Sequence, residues 1–124
     1  MAIGLGRLFG FEFHENFNHP YAATSVGDFY KRWHMSLGRF FRNYVYIPLG
    51  GNRGCETKIA RNLLLVMLIG GIWHGANWTF VAWGVYHGIL LILNRALGIE
   101  ELAAKVGLVG RIGFRFATLI LVTI

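Results

Sequence analysis

The sequence predicts an all-α fold: part of a polytopic membrane helical bundle, with an amphipathic interfacial helix and broken apolar spans. Of the 124 residues, 55% are hydrophobic and 15% are charged, whereas charged residues make up about 25% of an ordinary soluble domain. Residues 62–94 contain no Lys, Arg, Asp or Glu. Seven of the twelve Lys and Arg residues lie between Lys31 and Arg61, which is typical of segments that face the cytoplasm beside membrane spans.

The length fits one domain at most. The chain ends within an apolar run, so we expect residues 1–124 to be a partial domain, a fragment of a larger polytopic protein that is inactive alone. The net charge of +6 does not predict nucleic-acid binding, because the basic residues flank apolar segments. The single Cys55 excludes an intrachain disulfide and any multi-cysteine metal site.

Residues 1–22 are predicted to be the end of a helix followed by an irregular loop at the membrane interface. Aromatic and polar residues alternate in this loop, and aromatic rings are favourable at the headgroup level. The loop also contains His14, His19 and two glutamates. Their spacing matches no known ligand pattern, so no metal site is predicted.

Residues 25–44 are predicted to form an amphipathic helix. Ser25 and Asp28 have the spacing of a capping box, so the helix should begin near Val26. One face carries Phe29, Trp33, Leu37, Phe40 and Tyr44. The other carries Lys31, Arg32, Arg39 and Arg42. This pattern favours a helix in the membrane interface over one packed on a soluble core.

His34 lies at the edge of the aromatic face, near Tyr30 and Phe41, and is predicted to point inward. Residues 45–61 are predicted to be a cytoplasmic loop. Pro48 cannot continue a helix, and Gly50-Gly51-Asn52 is a turn signal rather than a phosphate-binding motif.

Residues 62–94 form an uncharged run of 33 residues. A straight helix of that length would reach about 50 Å, well beyond a hydrocarbon core of about 30 Å. The run is therefore tilted, broken or two segments. Gly70-Gly71 and residues 75–77 are the natural breaking points, and they bracket His74. A polar link then leads to a further membrane segment that begins at residue 107.

His74 is an ionisable side chain in an apolar run, which marks either a functional site or a core histidine bonded to a backbone carbonyl. A buried neutral imidazole is suited to general-base catalysis. Asn77 could orient it if the turn between them is helical. No serine-centred elbow or nearby cysteine supplies a covalent nucleophile. On one continuous helix His87 would lie about 220° around the helix axis from His74. His87 is therefore interpreted as a structural residue or as one at the edge of a pore.

Four motifs then occur in order: residues 15–21 (Glu-Asn-Phe-Asn-His-Pro-Tyr), 28–34 (Asp-Phe-Tyr-Lys-Arg-Trp-His), 46–53 (Tyr-Ile-Pro-Leu-Gly-Gly-Asn-Arg) and 73–78 (Trp-His-Gly-Ala-Asn-Trp). Together they closely resemble the membrane-bound O-acyltransferase (MBOAT) family. The resemblance is strongest to the bacterial branch that acts on exported polymers such as alginate and teichoic acids. The chain departs modestly at three positions: Tyr30 and Lys31 replace the usual Trp and Arg, and Asn43 replaces a common Asp.

The resemblance implies a bundle of transmembrane helices around a funnel or tunnel. It also implies transfer of an acyl group from a cytoplasmic thioester to a hydroxyl of an exported polysaccharide such as alginate. Acetyl is the first candidate for this acyl group. The donor would be acetyl-CoA or a carrier-protein thioester, with no bound cofactor. The family's invariant histidine maps onto His74 and a second onto His34, which are the expected catalytic residues. Trp73, Asn77 and Trp78 are expected to contact the substrate.

Two alternatives stay open. The first is D-alanyl transfer to teichoic acid by the same chemistry. The second, from another class, is a non-catalytic export channel or scaffold that keeps the fold. In each case we expect a multi-pass protein of the cell inner membrane, in contact with the lipid bilayer. Periplasmic acetylation or export proteins are the expected partners, and nucleic acid is not.

Overall fold

The computed structural model describes residues 2–123, and within that range every regular element is helical. The α-helices are α1 (Ala2–Leu8), α2 (Val26–Arg32), α3 (Met35–Phe41), α4 (Glu56–His74), α5 (Trp78–Ala96), α6 (Ile99–Lys105) and α7 (Leu108–Thr123). A 3₁₀ turn at Pro20–Ala22 precedes α2, and a π-helical turn at Arg42–Tyr46 continues α3. The all-α prediction is confirmed, and the polytopic bundle stays a prediction. Residue 1, which begins the first predicted segment, and residue 124, which ends the last, lie outside the described residues.

Helices α4 and α5 form an antiparallel hairpin that organises the rest of the chain. A Cβ atom on Gly71 would overlap the Phe80 carbonyl oxygen, and one on Gly88 would lie 2.8 Å from Cδ1 of Leu64. The two backbones therefore approach as closely as glycine allows. Gly84 also lies in this contact, since its added Cβ would meet the Met67 carbonyl oxygen.

The uncharged run is broken where the sequence predicted, at residues 75–77. Gly75 has extended backbone (φ 164°, ψ 152°), and the Asn77 side chain caps α5 by accepting from the Thr79 backbone N–H at 3.1 Å. The predicted break at Gly70-Gly71 is wrong, because these glycines stay helical within α4. Gly71 serves close packing against α5 instead of ending a helix.

The predicted single helix over residues 25–44 is wrong, although its start is confirmed. The Ser25 side chain accepts from the Asp28 backbone N–H at 2.9 Å and caps α2. The helix then stops, since Trp33 is extended and His34 is left-handed (φ 47°, ψ 52°). The aromatic face is not continuous across this break: Phe29 is buried, while Phe40 and Tyr44 are exposed. Placement in the membrane interface stays a prediction.

The predicted cytoplasmic loop is shorter than expected, because α4 already begins at Glu56. The buried Asn62 side chain donates to the carbonyl oxygens of Leu49 and Gly51, at 3.2 and 3.3 Å. These bonds fasten the Pro-Leu-Gly-Gly turn to α4. Arg95 donates to both carboxylate oxygens of Glu56, at 3.0 and 3.2 Å, and so joins the open end of the hairpin.

The predicted polar link after Arg95 contains a short helix, α6, before α7 begins at Leu108. Helix α7 packs beside α2 and the 3₁₀ turn. Within residues 2–123, no helix taken by itself has both the length and the hydropathy for a membrane crossing. Helices α5 and α6 reach the required length and hydropathy only when taken together, and the two helices are bent relative to each other by 56°.

Candidate active site

His34 is presented by the break between α2 and α3. Its backbone is left-handed, which is uncommon for a residue other than glycine. The ring packs against Phe17 and edge-on against Trp73, with centroid distances of 6.0 and 6.4 Å. Its Nδ1 atom is buried and has no hydrogen-bond partner among the described residues. The imidazole therefore points inward, as the sequence predicted.

His74 is the last residue of α4, beside the break in the hairpin. Its ring packs edge-on against Trp73 at 5.1 Å and Trp83 at 5.4 Å, and stacks against Phe80 at 6.1 Å. The prediction that His74 is buried is wrong for the described residues, where its side chain is exposed. The reason is local: α4 ends at this residue, and the rings that pack on His74 are those of Trp73, Phe80 and Trp83.

The two histidines line one cavity of about 800 Å³. Its walls come from α2, α3, α4 and α5, and they are mostly apolar and aromatic. The indole of Trp73 makes an edge-on contact with each imidazole. The structure therefore brings together His34 and His74, which are 40 positions apart in the sequence.

Positive charge surrounds part of this cavity. Lys31, Arg39 and Arg42 all line it. Lys31 is paired with Glu100 at 2.6 Å. Within residues 2–123, Arg39 and Arg42 have no carboxylate at ion-pairing distance. Two cations therefore remain available to an anionic group that enters the cavity.

Tyr30 and Trp83 line the cavity and were not predicted as site residues. A tyrosine hydroxyl is neutral at physiological pH and can donate a hydrogen bond, and burial raises the pKa of the Tyr30 hydroxyl further. Both rings contact His87, which is only 1% exposed. His87 is not among the lining residues, and it packs behind the cavity wall. The spacing of four positions between Tyr30 and His34 was the sequence signal that could have identified Tyr30 as a site residue. The position of Trp83 depends on how α4 and α5 pack together, which the sequence does not show.

The predicted substrate-contacting residues lie near His74 but not in the cavity wall. Trp73 is 58% exposed and Trp78 is 85% exposed at the tip of the hairpin. Asn77 cannot orient His74 in the predicted manner, because α4 ends before Asn77 and its side chain caps α5. The turn between these residues is extended rather than helical.

Residues 11–19 form an irregular segment in which His14 and His19 are exposed. Nowhere in residues 2–123 do three metal-ligating side chains come together in one group. The described residues of the cavity wall carry imidazole, phenol, indole, ammonium and guanidinium groups.

Comparison with known proteins gives consistent matches. The sequence model described as MBOAT, membrane-bound O-acyltransferase family, matches residues 1–98. A probable alginate O-acetylase of Azotobacter vinelandii is 57% identical over 100 residues, which cover 81% of this chain and 20% of that protein. A peptidoglycan O-acetyltransferase of Helicobacter pylori is 56% identical over 96 residues, covering 77% and 18%. A teichoic acid D-alanyltransferase of Bacillus subtilis is 33% identical over 99 residues, covering 73% and 25%. The chain therefore spans about a fifth of the length of the first two relatives.

Proposed function

Because the chain belongs to the membrane-bound O-acyltransferase family, we propose that it supplies the histidine-bearing part of an active site for acyl transfer. The acyl group passes from a thioester donor to a hydroxyl of an exported polysaccharide such as alginate. Acetyl is the first candidate for this group. The whole protein is proposed to be a multi-pass protein of the cell inner membrane. The observation that carries the proposal is that His34 and His74 line the same cavity.

In this proposal His74 is the general base. Its neutral imidazole takes the proton from the acceptor hydroxyl as the oxygen attacks the thioester carbonyl carbon. The C–S bond breaks, and the proton passes from the imidazolium to the leaving thiolate. The described lining residues include no Ser, Thr or Cys. This supports direct transfer from donor to acceptor rather than a covalent acyl-enzyme.

His34 is proposed to assist by hydrogen bonding to the substrate or by shaping the cavity. Its buried, unpartnered Nδ1 atom supports this role, because a buried polar atom without a partner is costly unless a ligand or water satisfies it. Trp73, Asn77 and Trp78 are the proposed contacts for a substrate that approaches His74 from the tip of the hairpin.

The donor is proposed to be acetyl-CoA or a carrier-protein thioester. Both carry phosphate, and Arg39 and Arg42 offer guanidinium groups that suit phosphate oxygens. Periplasmic acetylation or export proteins are the proposed partners of the full-length protein. The similarity to a teichoic acid D-alanyltransferase favours D-alanyl transfer as a second candidate, with the same roles for both histidines.

The test is His74→Ala in the full-length protein, with the acetyl content of the secreted polymer as the readout. We expect acetylation to fall by at least about a hundredfold, the size of a general-base contribution. His14→Ala is the matched control, because His14 is an exposed histidine outside the cavity. Unchanged acetylation at normal protein abundance would overturn the assignment. Loss of polymer export with normal acetylation of the residual polymer would favour a scaffold.

A further inference from the structure

Asn16 makes two hydrogen bonds to the first turn of α3, although it lies in the irregular segment well before α2. Its backbone carbonyl accepts from the Met35 N–H at 2.9 Å. Its side-chain Oδ1 accepts from the Ser36 N–H, also at 2.9 Å. The N–H of Asn18 donates to the Arg32 carbonyl at 3.0 Å. The segment around Asn16 therefore holds both sides of the break that presents His34.

These bonds satisfy groups that α3 cannot satisfy by itself. The first N–H groups of a helix have no partner within the helix, and a side-chain oxygen at the N-cap normally accepts from one of them. His34 occupies the N-cap position and makes no side-chain capping bond. Asn16 takes over that role from another part of the chain. Loss of the Asn16 side chain would leave the Ser36 N–H without this acceptor, while the Asn16 backbone carbonyl would still accept from the Met35 N–H.

The same bonds fix an unfavourable backbone. A left-handed conformation costs a residue other than glycine about 1–2 kcal/mol. Such conformations persist where the surrounding structure determines them. Phe17, the residue after Asn16, contributes by packing against Trp33 and His34, with centroid distances of 4.9 and 6.0 Å. Without the Asn16 side-chain bond, the left-handed backbone at His34 loses one of the contacts that stabilise it, and we expect the imidazole to be held less firmly in the cavity.

We propose that Asn16 is a positioning residue, which holds the His34 imidazole in the cavity by capping α3 from the upstream segment. The inference rests on the proposed function only in assigning His34 a part in acyl transfer. Asn16 does not line the cavity, so it acts through His34 rather than on the substrate.

The experiment compares Asn16→Ala, Asn16→Gln and Asn16→Asp in the full-length protein, with transfer rates normalised to protein abundance. Alanine removes the accepting oxygen, and glutamine moves it by one methylene. Both should lower transfer at least about tenfold, since a displacement of about 1 Å in a catalytic group costs on the order of a hundredfold. Aspartate keeps an accepting oxygen at the same distance along the side chain, and should restore transfer to within a few-fold of the wild type.

Asn18→Ala is the matched control. Among the described residues the Asn18 side chain makes no hydrogen bond, and its backbone N–H bond survives the substitution. If Asn16→Ala lowers abundance, Asn16→Gln carries the test, because it keeps an amide in the segment. Wild-type transfer with either Asn16→Gln or Asn16→Ala at normal abundance would overturn the inference, as would failure of Asn16→Asp to restore transfer. Absence of transfer in the wild type, or normal transfer in His74→Ala, would instead overturn the proposed function.

Discussion

Gly84 brings the backbone of α5 against the Met67 carbonyl oxygen of α4. A Cβ atom at Gly84 would lie 2.6 Å from that oxygen, closer than van der Waals contact permits. Gly84 follows Trp83, whose indole contacts His74. The separation of the two helices therefore sets how the indole meets the imidazole at the cavity.

Gly84→Ala should force the hairpin apart. We expect the free energy of unfolding of the full-length protein to fall by about 1–3 kcal/mol, as in other overpacked cores. Thermal unfolding in detergent measures the change. Gly113→Ala on α7 is the control, since nothing lies within 4 Å of its added Cβ, and it should be neutral or stabilising by up to about 1 kcal/mol. Equal unfolding temperatures for the two variants would show that the hairpin contact is not close in solution.

Local signals in the sequence predicted the boundaries that local chemistry sets. Ser25 caps α2 as its spacing with Asp28 indicated. The hairpin turns at residues 75–77, where glycine and asparagine stand together. The same logic failed at Gly70-Gly71, because a glycine in an apolar run can either break a helix or let a partner helix approach. The sequence does not distinguish these uses until the partner is known.

The break at His34 could not be predicted in this way. No glycine or proline stands there, and the hydrogen bonds that stabilise it come from Asn16, 18 positions upstream. That His34 and His74 belong to one site was expected only from the family resemblance, since no periodicity connects them. The exposure of His74 was missed although the break beside it was predicted, because the sequence does not show which other segments pack over the end of α4.

The ion pair between Glu56 and Arg95 predicts a pH-dependent contribution to stability. The hydrogen bond from Arg95 lowers the pKa of the Glu56 carboxyl below its ordinary value of 4.5. A carboxyl with a lowered pKa in the folded state binds fewer protons there than in the unfolded state. Its contribution is therefore present above the ordinary pKa and is lost as the pH falls through the folded-state value.

The measurement compares the unfolding temperature of the full-length protein with that of Glu56→Gln, from neutral pH down to below the lowered pKa of Glu56. The wild type should be slightly more stable at neutral pH, and the two should converge in acid. The difference should be small and should shrink in high salt, because both side chains are exposed. Glu101→Gln is the control, since Glu101 is exposed and forms no ion pair within residues 2–123. A difference that persists below the lowered pKa would contradict the assignment.

Because the backbone of His34 is left-handed, two substitutions can separate what its backbone conformation and its imidazole contribute to stability and to transfer. His34→Gly and His34→Ala both remove the imidazole, but only alanine keeps the penalty of a positive φ. We expect His34→Gly to be the more stable by about 1 kcal/mol, measured by thermal unfolding. Transfer should be reduced to the same extent in both, because neither can hydrogen-bond in the cavity.

His19 gives the matched pair, since it is also left-handed (φ 46°) but exposed and absent from the cavity wall. His19→Gly should likewise be more stable than His19→Ala, while both keep wild-type transfer. If His34→Gly recovered transfer that His34→Ala had lost, the backbone at this position would matter and the imidazole would not. The catalytic role of His34 would then be withdrawn, and the bonds from Asn16 would be purely structural.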